Sequence, residues 1–222
     1  MKNKYVYHAR ISELEFRQVL KLFATDLTSS QSTKLVSLNH NTVDRFYNLF
    51  RERIADYCLQ GYPEEIKSAM PNVVSESPKS RRVARGAKNK AIIFGIFIHD
   101  NKIFTEMVSS SKAPAMQKAI LGEESLDTLS QSEDWRGYNG LIDIGSKKCV
   151  IVSQGSKFAL EANDHDTINA FCAFATQRLI KFKGIPHDRF AFYLKETEYR
   201  FNYRTLDLYK SLLEMFKHKP II

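Results

Sequence analysis

Six apolar side chains, Ile168, Phe171, Cys172, Ala175, Leu179 and Phe182, recur at i, i+3, i+4, i+7, i+11 and i+14 along one stretch of the chain. That period belongs to an α-helix with one buried face, and Gly184 is placed to end it. The segments ahead of it read as strands. Ala91 to His99 and Lys102 to Val108 fit a hairpin turning at Asp100-Asn101, and Pro71 to Glu76, Thr128 to Ser132 and Lys148 to Ser153 fit three more strands. A helical segment from Ala115 to Leu121 lies between them, and two further helices complete the chain. Strand, hairpin, helix, strand, strand and helix in that order predict an α/β domain.

The first third of the chain carries a different pattern. Ser12-Glu13-Leu14-Glu15 has the form of a capping box, and Phe16, Val19, Leu20, Phe23 and Leu27 follow at helical spacing. A short second helix is expected over Ser30 to Val36. After the Ser37-Leu38-Asn39 turn, a long third helix is expected, capped by Asn41 and striped by Val43, Phe46, Phe50 and Ile54. The periodicity fits a helix-turn-helix and a plain three-helix bundle with a solvated polar face equally well. In a helix-turn-helix, the first residues of the motif's second helix enter the major groove. This makes Asn39, His40, Asn41, Thr42 and Arg45 the candidate DNA contacts, since asparagine can pair with adenine and arginine with guanine. Gly61-Tyr62-Pro63-Glu64-Glu65 reads as a boundary.

A chain of 222 residues can bury one full core of about 120 to 150 residues plus a small second module. The apolar run around Ala91 to Ile98 is too short to span a bilayer, and no apolar segment follows the Met1-Lys2-Asn3-Lys4-Tyr5 start, so a cytoplasmic protein with no membrane partner is expected. Cys58, Cys149 and Cys172 lie far apart with no C-x-x-C pair and read as reduced core residues. His99, His165 and His187 have no Cys or His at ligand spacing and read as surface or satisfied histidines, and Trp135 as a core residue. The net charge of +8 favours polyanions. Its distribution is more telling: Lys79, Arg81, Arg82, Arg85, Lys88 and Lys90 fall in one stretch without an acid. Such a run cannot bury an apolar face. It is either a loop that grips DNA phosphates, with the salt dependence that implies, or a solvated loop without a partner.

Arg178-Leu179-Ile180-Lys181-Phe182-Lys183-Gly184-Ile185-Pro186, followed by Tyr193-Leu194-Lys195-Glu196 and Tyr199-Arg200-Phe201-Asn202-Tyr203-Arg204, resembles the C-terminal signature of small bacterial insertion-sequence transposases of the DDE type. The likeness is to an ISXO-like group of the RNase H-like, or integrase, superfamily and extends over nearly the whole chain. Phe23-Ala24-Thr25-Asp26-Leu27-Thr28, Asn41 to Phe46 and Phe50 to Ile54 resemble the same group's N-terminal module. The resemblance implies an N-terminal three-helix helix-turn-helix module (residues 1–62), an RNase H-like mixed-sheet domain (63–184) and C-terminal helices packed on that domain (185–222).

Enzymes of this class hold two Mg²⁺ or Mn²⁺ ions with carboxylates from two strands and a helix. The resemblance puts Ser75, Glu133 and Asn169 at those three positions. Ser75-Glu76-Ser77 stands where the family has Asp-Glu-Ser, and Glu133-Asp134-Trp135 stands where it has Asp two residues before Trp. Asn169 precedes Phe171 and the Arg178-Leu179-Ile180-Lys181-Phe182 run. Branches of the family with asparagine at this position carry a lysine seven residues later, where this chain has Thr176. Glutamate for aspartate shifts a ligand by about 1.5 Å, a displacement that can cost about 100-fold in rate. A serine hydroxyl supplies no charge to a hard cation. Glu76 alternates to the opposite strand face, whereas Asp166 shares a helix face with Asn169 one turn earlier. A displaced metal site would draw on Glu133, Asp134 and Asp166.

The resemblance therefore implies a DNA-binding protein of transposase descent that recognises double-stranded terminal-repeat DNA as an oligomer, is impaired in cleavage and needs no metal. Two alternatives stand beside it: an active DDE transposase using a displaced Mg²⁺ or Mn²⁺ site, and a regulator or partner of an intact relative.

Overall fold

The computed structural model describes residues 3–7, 11–69, 92–108, 113–123, 138–152, 160–161, 163–182 and 185–221. Along them run α1 (Glu13–Ala24), α2 (Ser29–Ser32), α3 (His40–Gln60), α4 (Glu64–Ala69), β1 (Ile93–His99), β2 (Lys102–Met107), α5 (Ala113–Leu121), β3 (Gly140–Asp143), β4 (Lys148–Ile151), α6 (Asp164–Ile180), α7 (His187–Asn202) and α8 (Leu208–His218). The architecture is mixed α and β, in two compact units. One comprises residues 1–54 with 203–222 and the other residues 55–202.

The first unit is helical. The expected capping box opens α1: Ser12 Oγ accepts from the Glu15 amide at 3.2 Å and Glu15 Oε2 accepts from the Ser12 amide at 2.7 Å, satisfying two of the orphan donors of the first turn. Phe16, Val19, Leu20 and Phe23 are buried as their spacing predicts. The helix stops at Ala24, before Leu27, because Asp26 takes a left-handed conformation (φ 62°). The second helix is also shorter than the expected Ser30 to Val36. A capping box of Thr28 with Gln31 opens it, and the Thr33 hydroxyl then turns back to the Ser30 carbonyl at 2.9 Å. Side-chain bonding of that kind competes with helix propagation.

Aromatic rings form this unit's core. Phe16 meets Phe46, Phe50 and Phe216 edge-on, with centroids 6.1, 5.6 and 5.8 Å away. Arg51, 3% exposed, lies over the rings of Phe23 and Tyr47 at 5.6 and 5.7 Å, an arrangement that favours the cation when it is desolvated. Phe216 belongs to α8, so the last helix packs on α1 within this unit, which takes in residues 203–222 of the expected 185–222 segment.

The second unit holds an antiparallel sheet in the order β2-β1-β3-β4. The hairpin turns at Asp100 and Asn101, both with positive φ (50° and 59°), the signature of the turn whose twist matches paired strands. A mixed sheet was expected, but every described strand pair is antiparallel; the expected strands at Pro71 to Glu76 and Thr128 to Ser132, like Gly184 and Trp135, lie outside the described residues. Gly95 is required by its neighbour, since a Cβ there would stand 2.1 Å from Tyr138 Cδ1. Asn139 then extends the ladder with its side chain, Oδ1 accepting from the Ile98 amide at 3.0 Å.

Ile168, Phe171, Cys172, Ala175 and Leu179 of α6 enter the core as the stripe predicts. Cys172 is joined to Cys149 of β4 in a disulfide, with Cα atoms 6.1 Å apart. This corrects the reading of both as reduced. Wide sequence spacing conceals the pair, which only the packing of α6 on the sheet brings together.

Helix α7 lies along the outer edge of β2 and supplies side chains where a further strand would supply backbone. Asn202 Oδ1 accepts from the Ile103 amide at 2.9 Å and its Nδ2 donates to the Ile103 carbonyl at 2.7 Å. Glu198 Oε2 accepts from the Thr105 amide and hydroxyl, each at 2.8 Å. Lys195 Nζ donates to the Thr105 carbonyl and to the Tyr62 hydroxyl, and pairs with Glu198 at 2.9 Å. Tyr62 donates to Glu198 at 2.8 Å, and Cys58 points its thiol at the Lys195 carbonyl. Residues 55–62 therefore belong with this unit, ahead of the boundary expected after Tyr62. A second buried network lies between α7 and α6. Glu196 Oε1 accepts from Arg178 Nη2 at 2.5 Å and Arg200 Nε at 2.8 Å, while Arg178 Nη1 donates to Thr197 Oγ1 at 2.7 Å.

Two predictions follow from the buried cluster at the β2 edge. Glu198→Ala leaves the Lys195 ammonium buried and uncompensated, so the urea midpoint should fall by the equivalent of about 3 to 5 kcal/mol, with a smaller fall for Glu198→Gln. Burial, and then the Glu198 carboxylate, push the Cys58 thiol and the Tyr62 hydroxyl well up. The unfolded chain releases these protons at about pH 8.5 and 10, while the folded chain keeps them. Their contribution is whole below those values and is lost as pH rises towards the folded pKa, at up to about 1.4 kcal/mol per group and pH unit. Urea midpoints from pH 8 to 10.5 should decline, and Tyr62→Phe should flatten the upper part of the decline.

Candidate nucleic-acid interface

The first two turns of α3 are built by their hydroxyl-rich approach. Asn39, not the expected Asn41, caps the helix, its Oδ1 accepting from the Thr42 amide at 2.8 Å. This is the usual reach from a cap to the third helical amide. Helix α2 is then tied to α3 by three of its four side chains. Ser29 Oγ bonds Asp44 Oδ1 at 3.2 Å, Ser30 Oγ meets His40 Nε2 at 3.3 Å, and Ser32 Oγ meets the Tyr47 hydroxyl at 2.6 Å in a buried contact. Asn48 Nδ2 donates to the second Asp44 oxygen at 3.2 Å. None of these serines was singled out from the sequence, although the run Thr28-Ser29-Ser30-Gln31-Ser32-Thr33 is the signal that could have found them.

This arrangement sorts the candidate contacts. Asn39 is exposed, but its acceptor is engaged in capping; His40 is exposed and held by Ser30; Thr42 is half-buried. Asn41 and Arg45 are exposed, one turn apart on the same face, and make no side-chain hydrogen bond or ion pair among the described residues. An amide and a guanidinium so placed can make bidentate contacts to an adenine and a guanine edge in one groove, and the α3 amino terminus adds partial positive charge for a phosphate.

Asp166 and Asn169 stand exposed one turn apart on α6, on the side away from the Ile168 and Phe171 packing. Asp164 is buried, Oδ2 accepting from the Glu161 amide at 2.7 Å. Thr176 is half-buried two turns on. Ser75, Glu133 and Asp134 lie outside the described residues, as do Lys79, Arg81, Arg82, Arg85, Lys88 and Lys90. Among the described residues, no group of three His, Cys, Asp or Glu is placed to hold a metal ion. His99 Nε2 lies 3.5 Å from Asp100, and His165 is exposed. No helix among the described residues is long and apolar enough to cross a membrane.

Capping and exposure separate two substitutions in a thermal melt. Asn39→Ala should lower stability by about 1 kcal/mol through loss of the cap, whereas Arg45→Ala, on a solvated face, should stay within about 0.5 kcal/mol of the parent.

Over 101 residues the chain is 29% identical to an uncharacterized transposase-like protein of Haemophilus influenzae, an alignment that covers 46% of this chain and 81% of that protein. No family model matches the sequence, and no solved structure matches it. The finding is a distant likeness to a transposase-like protein, in a chain whose mixed α and β architecture carries an exposed Asn41 and Arg45 at the start of its longest described helix.

Proposed function

We propose that this chain is a DNA-binding protein of transposase descent whose strand-cleaving chemistry is lost. In this reading α2 and α3 form a helix-turn-helix, and residues 63–184 derive from an RNase H-like domain. The likeness to a transposase-like protein supports the descent. The observation that carries the DNA reading is the pair Asn41 and Arg45, exposed and without side-chain partners among the described residues, on a helix start that Asn39 and the α2 serines hold in place. Duplex DNA is the partner, read at a short site such as a terminal repeat, with the basic run from Lys79 to Lys90 on the phosphates and two copies on paired ends.

The donor set argues against retained cleavage. A pair of divalent ions needs several charged oxygens, and the three family positions offer the Ser75 hydroxyl, one carboxylate at Glu133 and the Asn169 amide. These residues do not fit two Mg²⁺ ions. Asp166, exposed one turn before Asn169, adds one carboxylate and does not restore the set.

Binding and cutting are tested separately on duplex DNA carrying the sequences that flank the gene. Fluorescence anisotropy should show binding that weakens steeply with salt. Arg45→Ala should reduce affinity by about 10- to 100-fold, and each charge removed from the Lys79 to Lys90 run should lower the salt slope by about 1. No salt-sensitive binding, or binding indifferent to Arg45, would sink the DNA reading. The unmodified chain should not nick DNA with Mg²⁺ or Mn²⁺. Nicking that Glu133→Ala abolishes would instead establish an active transposase with a displaced site.

A further inference from the structure

The disulfide between Cys149 and Cys172 joins a short strand to a helix that packs its apolar stripe into the core. Strand β4 has four residues and bonds to β3 alone among the described strands. Cys149 is half-buried on this edge, whereas Cys172 is 6% exposed within the core that Ile168, Phe171 and Ala175 of α6 make with the sheet. The segment closed by the bond separates the two cysteines by 23 positions and contains Asp166 and Asn169 on the exposed side of α6.

We propose that Cys149 and Cys172 are a reversible thiol–disulfide clasp, closed by oxidation, that fixes the amino-terminal half of α6 against the sheet. Two features make both states viable. As thiols, both sulfurs remain small apolar groups in contact with the same core, and a free cysteine packs as a hydrophobe. As a disulfide, the bond ends at half-buried Cys149 on β4, an edge among the described strands, and exchange proceeds at the sulfur that a thiol can reach. Closure uses a low-molecular-weight disulfide such as glutathione disulfide. The Cys149 thiolate attacks one of its sulfurs and releases one thiol, giving a mixed disulfide; the Cys172 thiolate attacks the Cys149 sulfur of that intermediate and releases the second. Two protein thiols are oxidised to one disulfide, one disulfide is reduced to two thiols, and the two protons pass to the leaving thiolates. Closure restricts the unfolded chain and suppresses local opening of the first turns of α6.

The full chain is equilibrated across a series of reduced-to-oxidised glutathione ratios, quenched with acid, and alkylated with N-ethylmaleimide in denaturant. Cys58, buried and outside the pair, is the internal reference, so intact mass should show one adduct in the oxidised chain and three in the reduced chain. The oxidised chain should melt about 5 to 10 °C higher, and its amides between 160 and 172 should exchange hydrogen more slowly. Cys58→Ala should keep the transition, with zero and two adducts, which shows that the pair is the one named. Three adducts at the most oxidising ratio, stable mixed disulfides, or one adduct with unchanged exchange over α6 would each overturn the proposal.

Discussion

The free edge of β2 is the constraint around which the second unit is arranged. Alternate residues of an antiparallel strand turn their amide and carbonyl away from the partner. In β2 these are Ile103, Thr105 and Met107, given a hairpin register that pairs His99 with Lys102. A buried edge with unsatisfied backbone groups costs about as much as the hydrogen bonds it lacks, and α7 meets the amide and carbonyl of both Ile103 and Thr105 with side chains. The spacing is commensurate. Two residues of strand advance about 6.8 Å and four residues of helix about 6 Å, so Glu198 and Asn202 fall opposite Thr105 and Ile103 with the helix running antiparallel to the strand. The β2 amides need anionic or amide oxygen acceptors and the carbonyl of Thr105 needs a donor, which explains why charged groups are buried on this face. Lys195 and Glu198 offset one another's charge.

The remaining polar residues of α7 face elsewhere, and together they make the helix a connector. Glu196 accepts from Arg178 on α6 and from Arg200 four residues on, so one helix holds the sheet edge with one set of side chains and the core helix with another. Buried ion pairs rarely add net stability over apolar packing, but they discriminate between registers. A one-residue slip of α7 would leave Lys195, Glu198 and Glu196 unpaired in the interior, an energetic gap that apolar packing alone would not create.

Legibility in the sequence followed the range of the interaction. The capping box of Ser12 with Glu15, the Asp100-Asn101 turn and the stripe from Ile168 to Leu179 are local, and each stands where the pattern puts it. The α3 cap was displaced by two residues because Asn39 and Asn41 are equivalent as cap formers; the choice falls to Asn39, which leaves His40 within reach of Ser30. Non-local features were hidden. Nothing in the spacing of Cys149 and Cys172 anticipates their approach, and Lys195, Glu196, Glu198 and Arg200 read as polar residues until the β2 edge and Arg178 are put beside them. At the candidate interface the sequence could not separate Asn41 and Arg45, which face solvent, from Asn39, whose acceptor the cap occupies. The acid positions show less: Asp166 and Asn169 share an exposed face as helical spacing requires, while Ser75 and Glu133 lie outside the described residues.

The stretch from Arg178 to Arg204, whose motifs suggested a transposase in the sequence, also supplies both buried polar networks of the second unit. Arg178, Lys195, Glu196, Glu198 and Asn202 hold α7 to β2 or to α6, and Arg200 braces Glu196 within α7. A signature made of such residues is maintained by folding alone, whatever has happened to the chemistry. The converse holds for the acid positions. Carboxylates gathered to hold metal repel one another in the empty site, and neutral residues in their place relieve that repulsion, the usual direction of exchange between stability and activity. On the reading proposed above, the amide at exposed Asn169 is a change that the fold absorbs without compensation, whereas loss of the buried Glu198 carboxylate would not be. Loss of cutting, on the proposed reading, leaves the shape intact and with it the helix start that presents Asn41 and Arg45. On that same reading, binding and cutting depend on different residues, which fall in separate compact units of the chain.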